Sequence, residues 1–199
     1  GGSLPRMDPT TLIMAIETRP TNLDPRFATD ANSTRVDELI FNSLLKYDQN
    51  DNLVPDIAKS FEAVQPTIYK FWLKDNIKFH DGKKLGAEDV KATFDFILDP
   101  RNSSPHLAEY QIIKEIKVLD ELTIQFELSR PFSPFLDLLV RGIVPAKFCK
   151  SSETKRFSEL LIGSGPFKFV DLSPIKISLT ANEEYFEGPP KIKNLYIKI

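Results

Sequence analysis

The sequence predicts a mixed α/β fold assembled from short elements, and three observations carry that expectation. Fifteen prolines against eight glycines in 199 residues force frequent chain breaks, because proline fixes φ and lacks a backbone N–H. Residues 112–128 alternate apolar and polar around Asp120-Glu121, the pattern of an antiparallel hairpin. Two other segments, 31–44 and 87–98, space their apolar residues at helical intervals instead.

Taken in order, the run Thr11 to Glu17 is short, apolar and followed by Arg19-Pro20, which predicts a buried strand. A turn through Asn22-Leu23-Asp24-Pro25 follows. Ala31-Asn32-Ser33-Thr34 supplies cap-type residues, and Val36, Leu39, Ile40 and Leu44 behind it predict a helix of about three turns. Asp48 to Asn52 is a polar turn. Strands are expected at 60–64 and 68–74, where Tyr69, Phe71 and Leu73 alternate with Lys70, Trp72 and Lys74. His80-Asp81-Gly82 is a turn signal, because Asp-Gly tolerates positive φ. After Gly86, the acids Glu88 and Asp89 suit the positive end of a helix whose apolar stripe is Val90, Phe94, Ile97 and Leu98. Ser133-Pro134 reads as an N-cap followed by a first-turn proline. Residues 147–158 are polar, a loop or short helix. Gly163-Ser164-Gly165-Pro166 is a glycine turn into strands bearing Phe167, Phe169, Ile177 and Leu179, and 192–199 is a last strand.

Composition narrows the function. Twenty-six Lys plus Arg against 28 Asp plus Glu give a net charge of −2, so no field exists to draw in nucleic acid or anionic lipid. No stretch reaches the roughly 20 apolar residues that span a bilayer. Gly1-Gly2-Ser3 reads as a cloning scar, and 1–8 as that scar with a leader remnant. One cysteine, Cys149, and two histidines, His80 and His106, offer no cluster at metal-ligand spacing, so neither a metal nor another cofactor is implied. Glu88-Asp89 and Glu183-Glu184 point to different faces, and no nucleophile, base and orienter can be assembled. The glycine turn lacks the Gly-Lys-Ser/Thr of a phosphate cradle and reads as structural. No catalytic residue is assigned.

Six blocks carry a family resemblance. Asn22-Leu23-Asp24-Pro25, Leu53 to Phe61, and Ile77-Lys78-Phe79-His80-Asp81-Gly82 with Ala87-Glu88-Asp89-Val90 are the first three. Arg130-Pro131-Phe132, Gly163-Ser164-Gly165-Pro166-Phe167 and Asn182-Glu183-Glu184-Tyr185-Phe186 follow in the family's order. Together they are similar to the extracellular solute-binding proteins of family 5, the oligopeptide and dipeptide receptors of ABC importers. Departures are Gly86 where the family caps with Thr, Ser164 for Thr, and Phe167 and Phe186 for Tyr and Trp.

The resemblance implies a periplasmic-binding-protein-like type II fold, of which this chain is the first lobe and the second lobe is absent. Residues 9–45 and 156–199 are expected to form its sheet-bearing part and 46–155 an inserted smaller subdomain. Family members hold cargo in a cleft between lobes. By ungapped alignment, positions whose backbone pairs with a bound peptide fall on Thr29, Asp30 and Ala31. His106 stands where peptide receptors carry a ligand-facing aromatic; an exposed loop histidine is the other reading of it. The implied function is the substrate-binding component of an ABC importer, with a small-molecule or peptide ligand and a membrane permease as partners. Its place is the periplasm or the extracellular face of the cytoplasmic membrane. The incomplete lobe is expected to self-associate. A ligand-sensing module of a regulatory protein and a small hydrolase of unrelated fold remain the alternative functions.

Overall fold

The computed structural model describes residues 8–199; residues 1–7, and with them most of the expected scar and leader remnant, lie outside the described residues. Its strands are β1 (Thr11–Ala15), β2 (Leu45–Tyr47), β3 (Leu53–Pro55), β4 (Ala58–Gln65), β5 (Ile68–Leu73), β6 (Ile113–Asp120), β7 (Thr123–Leu128), β8 (Phe167–Leu172), β9 (Lys176–Ala181) and β10 (Asn194–Lys198). The helices are α1 (Ala31–Ile40), α2 (Ala87–Leu98), α3 (Leu107–Tyr110) and α4 (Thr154–Leu160). Short 3-10 segments intervene, the longest at Ser133–Val140.

Strand order β1-β10-β9-β8 forms one sheet, parallel only between β1 and β10. A second sheet, β4-β5-β7-β6, is antiparallel throughout, and β2 and β3 make a small hairpin around the 48–52 turn. The predicted 112–128 hairpin is β6 and β7, with Val118 opposite Ile124.

Each large sheet has its own core. The second sheet packs on α2 through Phe71, Phe94, Phe126 and Phe135, all fully buried. Phe126 meets Phe71 and Phe94 edge-on, with centroids 5.7 Å apart in both pairs. Such pairs contribute about 0.5–1.5 kcal/mol beyond burial alone, which is one use of the phenylalanine-rich composition. The first sheet packs Leu179, Leu195 and Ile197 on Val36 and Ile40 of α1 and Phe157 of α4.

The two cores meet at a buried polar joint. Asn42 donates to Asp56 Oδ1 at 3.1 Å and accepts from Ser164 Oγ at 2.9 Å, while Ser43 N–H donates to Asp56 Oδ2 at 3.0 Å. Each of these buried groups is therefore satisfied, the condition under which a polar joint stabilises rather than costs.

Three expectations need correction. β1 is an edge strand, with Leu12, Ile13 and Met14 each 43% exposed, because no described segment packs over it. Asp30, not the residues after it, caps α1: its carboxylate accepts from Ser33 N–H at 3.0 Å. Ser133 is not a cap; the segment begins after Phe132, makes no side-chain cap bond and winds as a 3-10 helix.

Gly86 is explained by packing. A Cβ there would lie 2.9 Å from the Glu121 carbonyl oxygen, so the threonine expected at this cap has no room. Asp89 reaches back to the Gly86 N–H at 2.9 Å and supplies the cap from the other side.

Candidate functional site

A buried ion pair organises the loop before α1. Asp24 accepts from Arg26 through its backbone N–H and Nε, both at 3.0 Å, and through Nη2 at 2.8 Å. Arg26 is 0% exposed, stacks 3.8 Å over Phe96, and donates from Nη1 to the Phe148 carbonyl at 2.9 Å. The guanidinium thus has partners for charge and donors alike, which a buried cation requires. Ser104 Oγ donates to the Arg26 carbonyl at 2.7 Å and fastens the next loop to this one.

On that frame sit the predicted residues. Thr29 is exposed, and neither its N–H nor its carbonyl is bonded among the described residues. Ala31 is exposed in the first turn of α1, where backbone N–H groups have no partner within the helix. The Asp30 side chain is committed: besides Ser33 it accepts from Thr21 Oγ1 at 2.6 Å. Burial would raise its pKa, but the hydrogen bonds from Ser33 and Thr21 outweigh it and hold the carboxyl well below the usual range.

His106 is brought to the same place, and it is no exposed loop histidine, being 7% exposed. Its Nε2 lies 2.6 Å from the Ala28 carbonyl, which can only accept, so Nε2 carries the proton. Nδ1 then accepts from Arg141 Nη2 at 3.2 Å. Arg141 also donates to the Pro25 carbonyl and to Tyr110 Oη, each at 3.1 Å. His106 and Arg141 therefore brace the Thr29 loop from behind.

Beside the loop runs a cleft of about 360 Å³, walled by Pro25 and Ala28, Thr34 and Asp37 of α1, Phe41 just after it, Asp56, Arg141 and Tyr185. Sequence reasoning missed Asp37, Arg141 and Tyr185. The first two left a trace: Asp37 directly follows the buried Val36, and Arg141 interrupts an apolar run before Ile143-Val144.

The other singled-out residues are structural. His80 Nε2 donates to the Gly165 carbonyl at 3.0 Å, and Nδ1 accepts from Gly163 N–H at 3.3 Å, so the imidazole staples the glycine turn. Burial pushes the Cys149 thiol up to about 12, which keeps it unreactive at neutral pH.

Solved structures share this architecture. The chain aligns with NikZ from Campylobacter jejuni in complex with Ni(L-His) at a TM-score of 0.89 and 31% identity, covering 96% of this chain and 39% of that one. For AppA from Bacillus subtilis in complex with a nonapeptide the TM-score is 0.90 at 27% identity, with 95% and 40% covered. The fold is that of one lobe of a periplasmic binding protein, and a hydrolase of unrelated fold is thereby set aside. In sequence, the oligopeptide-binding protein AppA is 29% identical over 192 residues, 90% of this chain and 35% of AppA. Di/tripeptide-binding protein 4 of Pseudomonas aeruginosa is 30% identical over 189 residues, 81% of this chain and 36% of that protein. The chain thus spans about a third of the length of these relatives. Residues 52–199 match the family model of bacterial extracellular solute-binding proteins, family 5 Middle. The chain belongs to that family, whose members bind solutes outside the cell. Among the described residues no helix is long and apolar enough to cross a membrane.

Proposed function

We propose that this chain is one wall of the cargo cleft in the substrate-binding component of an ABC importer, and that its cargo is a peptide. One observation carries the reading: Thr29 presents an unpaired N–H and carbonyl to solvent on a loop that Arg26, His106 and Arg141 hold still. An extended peptide pairs with such a backbone as an added strand does, and main-chain pairing does not read side chains. Ala31 adds its free N–H, while Asp30 and His106 act as positioning residues behind the pair. The names of the Bacillus and Pseudomonas relatives support peptide cargo.

In this reading the protein works at the periplasmic or extracellular face of the cytoplasmic membrane, hands cargo to a permease and changes no bond in it. Closure is a population shift, driven by contacts that exist only when both walls touch the ligand. Residues 9–45 with 156–199, and 46–155, are its two subdomains. One wall alone buries too little ligand to offset ordering costs.

Isothermal titration of the full-length polypeptide containing this chain with tri- to pentapeptides tests the reading. Micromolar binding is expected, weakened about tenfold by N-methylation of the peptide amide that faces Thr29. The 199-residue chain alone is expected to give no micromolar binding. Absence of peptide binding in the full-length polypeptide, or indifference to N-methylation at every position, sinks it.

A further inference from the structure

Among the described residues one buried side-chain polar atom has no hydrogen-bond partner, and it is Oδ1 of Asp37. Asp37 is 7% exposed and lines the cleft between Thr34 and Phe41. Burying a carboxyl without a donor costs about 1–3 kcal/mol or more, so such an atom calls for an explanation.

Nearby groups do not supply the donor. The Arg141 guanidinium directs its hydrogen bonds to Tyr110, Pro25 and His106, and none of them reaches Asp37. Asp24 is taken up by Arg26 and Asp30 by Ser33 and Thr21, and both are acceptors, as is Glu38. Asp56, the other buried acid of the cleft, already receives Asn42 and Ser43. The open valence of the cleft is therefore an acceptor. Burial, then the like charges of Asp24, Asp30 and Glu38, raise the Asp37 carboxyl well above the usual range, with Arg141 pulling the other way.

We propose that Asp37 receives the primary ammonium group of a cationic ligand, whose aliphatic stem lies against Pro25 and Phe41. A charge-assisted bond to a carboxylate is roughly twice as strong as a neutral one, which favours an ammonium over a hydroxyl. At about 360 Å³ the cleft falls in the range of small-ligand sites. The docked ammonium favours the ionised carboxylate, and any proton the buried acid carries passes to solvent. This assignment deepens the reading of the chain as a cargo-cleft wall and rests on it.

The test is carbon-13 NMR of the Asp37 carboxyl in the 199-residue chain, titrated with propylammonium chloride beside propanol and sodium chloride. A saturable shift toward the ionised carboxylate is expected for propylammonium alone. Amide resonances of Thr34, Phe41 and Gly142 are expected to titrate with it, and to require at least about tenfold more propylammonium in Asp37→Asn. An unmoved Asp37 carboxyl, an equal response to sodium chloride, or amides that titrate unchanged in a folded Asp37→Asn overturns the assignment. Should that variant not fold, the wild-type carboxyl titration decides alone. Tri-alanine failing to bind the full-length polypeptide would instead count against peptide cargo, with the Asp37 assignment still judged by the carboxyl.

Discussion

His80 works as a staple because its neutral ring offers one donor and one acceptor, and the glycine turn needs one of each. Burial, and next to it the Lys168 charge, outweigh the Gly165 hydrogen bond and lower its pKa from 6.5 to about 4. Above the unfolded value both states are neutral and the group leaves stability unchanged. As pH falls from about 6.5 toward 4, only the unfolded chain takes up the proton, so stability is lost through that window and the loss levels off below it. The expected loss is roughly 3 kcal/mol at its limit, and urea unfolding across this range should show it shrink in His80→Gln. A His80→Gln chain with the wild-type slope would remove His80 as its source. At this scale the sequence placed His80 in a turn but not its partners, which lie 83 and 85 residues away at Gly163 and Gly165. Asp37 and Arg141 were not legible as cleft residues, because only the tertiary fold brings both to the same wall.

At the scale of elements, the C-terminal end of α1 and the turn before β8 fit only because two positions lack side chains. A Cβ on Gly163 would stand 2.2 Å from the Ile40 carbonyl oxygen, and one on Gly165 would stand 2.6 Å from the Ile40 carbonyl carbon. Gly165 N–H uses the approach to donate to Ile40 O at 2.8 Å. Gly163→Ala is therefore expected to cost about 3 kcal/mol or more, since backbone must move. Gly188→Ala meets open space and carries only the strain of φ +97°, about 1 kcal/mol. Thermal unfolding of the two variants should rank them in that order; equal losses would mean that the close approach is not what constrains Gly163. The elements themselves were read well where period decides them, as in β5 to β7 and α2. β1 misled because a continuous apolar run signals a strand but not its cover. The 3-10 winding at 133–140 went unseen, since capping residues alone do not distinguish it from an α-helix.

For the whole molecule, the uncovered edge has a consequence in solution. Leu12, Ile13 and Met14 on β1 and Val170, Leu172 and Ile175 around the opposite edge of the same sheet leave apolar surface at both ends. Unpaired strand edges and apolar patches recruit further copies. Sedimentation velocity of the 199-residue chain is expected to show association that grows with concentration and recedes in Ile13→Lys. A strict monomer at high concentration would count against it. The mixed fold was legible from period and proline content, and the family from six ordered blocks. The Thr29 loop was legible only through that resemblance, because an unpaired backbone group has no residue type to announce it.

The interior arginine beneath that loop has an implication for energetics of capture. Since Arg26 is fixed between an aromatic ring and a distant carbonyl, the loop above it takes its shape during folding. On the proposed reading a peptide then meets a preorganised edge, and the entropy of ordering that edge falls on the fold, leaving more of each contact to appear as affinity.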